Sequence, residues 1–470
     1  MEMLLGGKWV GKDETIPVTN PFNEEIIDQV PRSDLQDVDH AMASAVRGAE
    51  QMAKLSAQER YQILQRAAEG ITAQAEELAQ TMTQEVGKTI REARGEVSRT
   101  IQTFTFAAEE AKRIYGESVP MDAAPGGENK LGFTIRVPVG VVVAITPFNF
   151  PVNLAAHKVA PALAAGNSVV LKPATDTPLA DVMLGRIILE AGLPNEALNL
   201  ITGYGGEIGD ALVADDRGRM ISFTGSLEVG KRLMAHAGLK KATLELGSNS
   251  AVIVMEDADL ERAADRITAG AFALAGQVCI SVQRVYVHRE VFEDVVREVA
   301  SRTEKLRVGN PLEDSTQVGP MISISAAERA ESWIQEALDR GGERVCGGQR
   351  EGSLLWPTVL QNVPGDCRVC CEEAFAPLVV INAVDDLDHA ITLVNDSQYG
   401  LQGGIFTKDL AAALEAAKRI QVGGVMINEV PTFRVDHMPY GGVKGSGLGR
   451  EGLKYAVEEM TEIRLVCFQT

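Results

Sequence analysis

Between Asp34 and Ile114 apolar residues recur at three- and four-residue spacing through "DLQDVDHAMASAVRGAEQMAKL", "SAQERYQILQRAAEGITAQAEELAQTMTQEVG" and "TIREARGEVSRTIQTFTFAAEEAKRI". That spacing returns to one face every turn, so 33–115 is predicted as successive amphipathic helices. Ser56 with Glu59 three residues on is a candidate capping box. Residues 116–130, "GESVPMDAAPGGENK", break the period. The next stretch, "LGFTIRVPVGVVVAITPF", alternates at first and then becomes continuously apolar, as in a strand buried on both faces. From about 140 to 245, predicted strands ("NSVVLKP", "ALNLIT", "MISFTG", "KATLELG") alternate with helices ("TPLADVMLGRIILEAGL", "GGEIGDALVAD", "SLEVGKRLMAHAG"). Such alternation predicts a parallel sheet with helices on both faces. A second α/β series, with "SAVIVM", "QRVYVHR" and "FAPLVVINAV", covers about 247–436. The tail, "YAVEEMTEIRLVCFQT", ends in an apolar strand with no partner near it in sequence.

At 470 residues the chain exceeds what one core usually organises, so at least two domains are expected. A net charge of −20 argues against nucleic acid or an anionic membrane as partner. A small anionic substrate stays open, because a pocket can oppose the global sign. There is no uninterrupted apolar run of about 18 residues, and the N-terminus lacks the basic start and apolar core of a secretory signal. The six cysteines are scattered, which suits a reducing compartment, so a cytoplasmic location is expected. Cys367 and Cys370 form a lone CxxC without the second pair a structural zinc needs; no metal is predicted.

Candidate chemistry begins with two glycine turns. "ITGYGGEIG" supplies Gly203, Gly205 and Gly209, one residue longer than the usual GxGxxG, and "SFTGSLEVG" supplies Gly225 and Ser226. Consecutive turns of this kind suit a dinucleotide at the carboxyl ends of parallel strands, or are ordinary turns of an α/β sheet. Cys279, in "GAFALAGQVCISVQRVYV", is either core filler or a nucleophile. Taken singly, Asn149 reads as a turn residue, Glu245 as a solvated charge at a strand end, and Lys158 as a helix-surface charge.

Six segments occur in order: "PFNFPVNLAAHKVAPALAAGNSVVLKPA", "FTGSLEVG", "LELGSNS", "GQVCIS", "EEAFAP" and "MPYGGVKGSGLGREG". Together they resemble the aldehyde dehydrogenase superfamily over essentially the whole chain. The resemblance implies an α/β, aldehyde dehydrogenase-like fold. A Rossmann-type cofactor domain would cover 1–117 and 138–246, a catalytic domain 247–451, and an oligomerisation arm 118–137 and 452–470. It implies a homodimer or homotetramer, since the arm pairs strands across subunits. The implied reaction is oxidation of an aldehyde to its carboxylate with NAD or NADP.

In that scheme Cys279 is the nucleophile, and Asn149 with the Cys279 backbone N–H binds the oxyanion. Glu245 activates the water that hydrolyses the thioester, and Lys158 stands near the site. Because coenzyme-A-using relatives replace that glutamate, its presence favours hydrolysis; the alternatives are an acylating enzyme or a non-enzymatic structural member. Lys172 matches the lysine at the adenosine ribose, Ser226 a pyrophosphate contact, and Glu373 with Phe375 the nicotinamide ribose and ring. Thr146, Phe148, Gly205, Gly209 and Gly225 complete the expected cofactor set. Thr175 stands where NAD-preferring members often carry glutamate, which admits the 2′-phosphate of NADP. Ser248 and Asn249 replace the usual glycine and lysine. The substrate pocket maps to Arg99 and Thr103, one turn apart, His157, and Phe433–Arg434, while Arg284 reads as structural. Two arginines and a histidine suit a short aldehyde carrying an anionic group. Glyceraldehyde 3-phosphate and its close analogues are the first expectation. Sulfolactaldehyde, phosphonoacetaldehyde, lactaldehyde and succinic semialdehyde enzymes are the other types resembled.

Overall fold

The computed structural model describes residues 1–470. Its helical N-terminal part resolves into Leu35–Met52, Ala57–Ala73, Ala75–Val86 and Ile90–Ala111. Asp34, Ser56 and Thr89 each begin a helix with a reciprocal capping box, so the Ser56–Glu59 pair forms as the sequence predicts. Leu64, Ile71, Leu78 and Phe104 bury their side chains in one core with Val142, Val159, Leu171 and Leu198 of the adjoining α/β unit. Burying side chains of this size contributes about 1.5–3 kcal/mol each.

That unit contains an eight-stranded sheet. Its order is Lys8–Val10, Met3–Leu5, Leu198–Leu200, Ser168–Lys172, Val141–Ile145, Gly218–Thr224, Lys241–Glu245 and Gly447–Leu448. The five strands from Leu198–Leu200 to Lys241–Glu245 are parallel. From Val141–Ile145 the chain winds outward in one direction, then returns to build the other side. A crevice opens where the winding reverses, at the carboxyl ends of the strands. Ile145 lies opposite Lys172 and Phe223, and Thr224 opposite Glu245, so four chemically distinct strand ends share one edge.

A second, seven-stranded sheet runs Glu343–Cys346, Thr358–Gln361, Leu378–Val384, Arg284–His288, Ala251–Val254, Gln402–Phe406 and Gly424–Ile427. All but its first strand are parallel. Cys367 and Cys370 are buried in this sheet's apolar core. The tail strand Thr461–Gln469 finds its partner in Lys130–Pro138, antiparallel from Thr461↔Pro138 to Gln469↔Lys130, with Ser118–Val119 on the far side. The segment 452–470, expected to join the arm as a whole, divides at Met460. Helix Leu453–Glu459 packs Leu453 and Val457 into the first core, together with Met460, and only the strand beyond enters the small sheet.

Candidate active site

Cys279 follows helix Leu260–Phe272 and a turn in which Leu274, Ala275 and Gly276 all have positive φ, between 49° and 70°. A Cβ on Gly276 would come within 2.0 Å of the Ala376 carbonyl oxygen, so only glycine lets the turn lie against 374–377. The Leu274 N–H donates to Glu92 at 2.6 Å, and the Gln277 side chain donates to the Leu274 carbonyl at 3.1 Å. The thiol is thereby fixed between the two large sheets, with Sγ 3.1 Å from the Tyr440 hydroxyl. It lines two cavities at once. One, of about 120 Å³, also has Arg99, Phe150, Arg434 and Tyr440 in its wall; the other, of about 350 Å³, has Phe148, Asn149, Glu245, Glu373 and Phe375. Burial pushes the thiol up to about 11, against the pull of the Tyr440 hydroxyl and the Arg434 charge.

Glu245 ends its strand at the same edge, buried, with neither carboxyl oxygen hydrogen-bonded. Burial and the nearby Glu451 hold it well above the usual carboxylate range, opposed by Arg434 and Lys158. A buried polar group without a partner is rare enough in a folded protein to mark a site of strain or chemistry. Asn149 donates its side-chain N–H to the Gln277 carbonyl at 2.9 Å and leaves Oδ1 unpartnered. Lys158 is not on a helix surface. It is fully buried and donates to Thr224 Oγ1 at 2.7 Å and Glu451 Oε1 at 2.9 Å, lining neither cavity.

At the strand ends, Lys172 donates to the Pro173 carbonyl, and burial lowers it to about 8. Thr175 Oγ1 donates to the Gly203 carbonyl at 3.1 Å, tying it to the first glycine turn, and the buried Thr146 hydroxyl has no partner. Residues Gly205–Gly209 form a wide π-helical turn leading into Asp210–Ala214, which accommodates the additional residue in this GxGxxxG. A Cβ at Gly205 or Gly209 would meet nothing within 4 Å, whereas one at Gly225 would strike the Phe223 ring at 2.5 Å. Ser226 caps helix Leu227–His236. Glu373 accepts the Ser248 N–H at 2.9 Å and is pushed up to about 7, chiefly by burial. The Phe148 and Phe375 rings meet edge to face, 5.8 Å apart. Asn249 donates to the Cys370 carbonyl and accepts from Ser397 Oγ, so it joins two loops of the catalytic unit. An open carboxyl edge with a cavity walled by aromatic rings fits the nicotinamide end of a dinucleotide, and the buried Lys172 ammonium on the same edge fits a ribose further along it.

On the other side of the thiol, Arg99 donates Nε and Nη2 to Asp436 at 3.2 and 2.7 Å. His157 Nε2 lies 2.9 Å from the same carboxylate, and Asn153 donates to it at 3.1 Å. Burial and Arg434 lower the His157 pKa, while hydrogen bonds from His157 and Arg99 hold Asp436 below the carboxylate range against its own burial. Arg434 lies over the Tyr440 ring at 3.7 Å and donates Nη2 to Glu451 at 3.0 Å; its buried Nε has no acceptor. Thr103 donates to Asn153 behind the cavity, His157 is wholly buried there, and Phe433 is 44% exposed; none of the three lines it. Arg284 binds the carbonyls of Asn249, Leu393 and Val394, a structural role.

Residues 9–466 match the aldehyde dehydrogenase family. The chain belongs to that family. It is 49% identical to 3-sulfolactaldehyde dehydrogenase of Priestia aryabhattai, over 99% of this chain and 97% of that protein. Aldehyde dehydrogenase 21 from Physcomitrella patens, solved with its reaction product succinate, superposes with a TM-score of 0.97. The two are 41% identical, over 99% of this chain and 98% of that one. Glyceraldehyde-3-phosphate dehydrogenase from Methanocaldococcus jannaschii, solved with NADP, gives 0.94 at 41% identity, over 98% and 100%. This aldehyde dehydrogenase is thus an α/β enzyme that oxidises a small aldehyde to its carboxylate with NAD or NADP. No helix is long and apolar enough to cross a membrane.

Around the aldehyde dehydrogenase thiol, sequence reasoning misses Asp436, Glu451, Tyr440 and Asn153. Three of them lie in quoted segments, Asn153 in "PFNFPVN" and Tyr440 and Glu451 in "MPYGGVKGSGLGREG". Asp436 follows Arg434 by two residues on the same loop. An acid that close to a candidate arginine was the available signal.

Proposed function

We propose that Cys279 forms a thiohemiacetal with a small anionic aldehyde and that the resulting thioester is hydrolysed by water activated at Glu245. The observation that carries the reading is the thiol's position in the walls of both cavities, with an unpartnered carboxyl on one side and an unpartnered guanidinium N–H on the other. Glu245 lies close enough to Cys279 to raise its pKa, and it is the group able to receive the thiol proton. The Tyr440 hydroxyl, itself held well above its ordinary range by burial, stays protonated and donates to sulfur. Sulfur bonds to the carbonyl carbon, and the oxygen takes the negative charge. The second Asn149 amide hydrogen and the Cys279 N–H are its donors, an arrangement that contributes about 3–4 kcal/mol in such sites. The bound dinucleotide supplies the hydride acceptor. Loss of the hydride leaves a thioester. Glu245 gives the thiol proton to solvent and, again a carboxylate, takes a proton from the water that attacks the thioester. The acid product leaves as carboxylate while the sulfur regains a proton.

Lys172 and Thr175 hold the adenosine ribose, Ser226 the pyrophosphate, and Glu373 with Phe375 the nicotinamide riboside. Arg99 and Arg434 hold the substrate anion. The domains divide near the boundaries the resemblance implies, except that the C-terminal part of the arm begins after Met460 and Gly447–Leu448 joins the cofactor domain's sheet. The arm assembles a homodimer or homotetramer: Ile463, Leu465 and Phe468 of its edge strand are exposed, as is Leu131 of the neighbouring strand. An apolar edge strand is a pairing surface. The test is a panel of anionic and neutral aldehydes with NAD and NADP, with and without coenzyme A. Carboxylate formation independent of coenzyme A, fastest on anions, is the expected result. An absolute requirement for coenzyme A removes the hydrolytic step, and preference for propanal removes the anion.

A further inference from the structure

The small cavity beside Cys279 has two charged residues in its wall, Arg99 and Arg434, and each is already paired with a buried carboxylate. Asp436 holds Arg99; Glu451 holds Arg434 and also Lys158. Three cations therefore face two carboxylates, and the cluster carries one net positive charge. The other titratable groups packed here leave that balance unchanged. His157 is pushed toward its neutral form by burial and by Arg434, and Glu245 lies in the wall of the other cavity, not of this one. Glu96, which accepts the Asn153 N–H, is cancelled by the buried Lys88. Donors remain for a ligand on both arginines: Nη1 of Arg99, since Asp436 takes Nε and Nη2, and Nε and Nη1 of Arg434, of which Nε is buried and unpartnered.

We propose that Asp436, by occupying one edge of the Arg99 guanidinium, sets this pocket to accept aldehydes bearing a single negative charge, a carboxylate or sulfonate, over those bearing a phosphate dianion. The proposal rests on the anionic-aldehyde reading above and sharpens it. One negative charge neutralises the cluster. A second would be buried without compensation beside Asp436, and like charges brought together in a desolvated site are strongly disfavoured. Asp436 is a positioning residue: it acts through Arg99, and through His157 and Asn153 it also anchors the 432–440 loop to the helix Pro151–Ala164.

The experiment compares kcat/KM for 3-sulfolactaldehyde and glyceraldehyde 3-phosphate, which share a three-carbon 2-hydroxyaldehyde frame, with propanal as the uncharged reference. At pH 8 the parent is expected to favour the sulfonate about tenfold or more. The ratio should narrow toward pH 5.5, because a phosphate monoester takes up its second proton near pH 6 while a sulfonate does not titrate. Taking the ratio cancels those of the enzyme's titrations that act equally on both anions, such as that of the nucleophile. Asp436→Asn should close the gap about tenfold at pH 8. A variant that slows both anions equally, with the ratio unmoved, overturns the role of Asp436 while the anionic pocket stands. A parent that prefers propanal to both anions overturns the anionic reading itself. If Asp436→Asn does not fold, the parent decides: a phosphate preference at pH 8, or a ratio flat with pH, sinks the proposal.

Discussion

A thiol pushed up to about 11 is a poor nucleophile until something takes its proton, and that sets the behaviour of Cys279. Because its pKa is raised, the thiolate fraction is small at pH 7 and grows about tenfold per pH unit up to about 11. Alkylation by iodoacetamide in the absence of cofactor should follow that slope, and Cys279→Ala should abolish turnover while NADP still binds. A pH-independent alkylation rate between 7 and 9 would contradict the buried-thiol picture. Glu245 is shifted in the same direction, so its carboxylate form is lost at acid pH and recovered only well above the ordinary carboxylate range. Hydrolysis should therefore rise with pH across that range. Glu245→Gln should release one equivalent of reduced cofactor per site and then stall, read as a stopped-flow burst; parent-rate turnover would remove the base assignment. At the ribose, Thr175 carries no charge. Thr175→Glu should lower the NADP to NAD ratio of kcat/KM about tenfold or more by placing a carboxylate opposite the 2′-phosphate. Cys279 and Glu245 are legible in the sequence because each stands in a segment with neighbours of its own. Asp436 is not, because its function comes from Arg99, far away in the chain and adjacent only in the fold.

Elements were legible wherever their period was long. The N-terminal helices show themselves by three- and four-residue spacing, though not the break at Gln74 that divides the second stretch into two, and the alternating strands and helices of 140–245 by their order. The strands Met3–Leu5 and Lys8–Val10 are three residues each, too short to display a period, and they join the first sheet at an edge that sequence order does not reveal. The turn before Cys279 is likewise silent, since nothing in "ALAG" marks the left-handed backbone that Leu274 and Ala275 adopt. That turn is held by close approach rather than by propensity. Gly276→Ala would force a methyl to 2.0 Å from a carbonyl oxygen at φ 70°. It should destabilise the protein by about 2 kcal/mol or more and displace the thiol. The expected readout is a lower Tm with a disproportionate loss of kcat; an unchanged Tm would mean that the 374–377 segment yields freely.

For the whole molecule, the proposed assembly rests on the small sheet. Its edge strand presents Ile463 at 64% exposure and Leu465 at 53%, and no element of the same chain covers them. Ile463→Asp should lower the mass measured by light scattering toward 50.4 kDa, the mass of one chain; an unchanged oligomer would place the interface elsewhere.

The two cavities that meet at the thiol make Cys279 a room with two doors. In the proposed reading, aldehyde and dinucleotide reach one sulfur from different directions, so neither blocks the other's way in. Glu245 stands at the dinucleotide's door, not the aldehyde's. The water of the second half-reaction must therefore share a threshold with the dinucleotide.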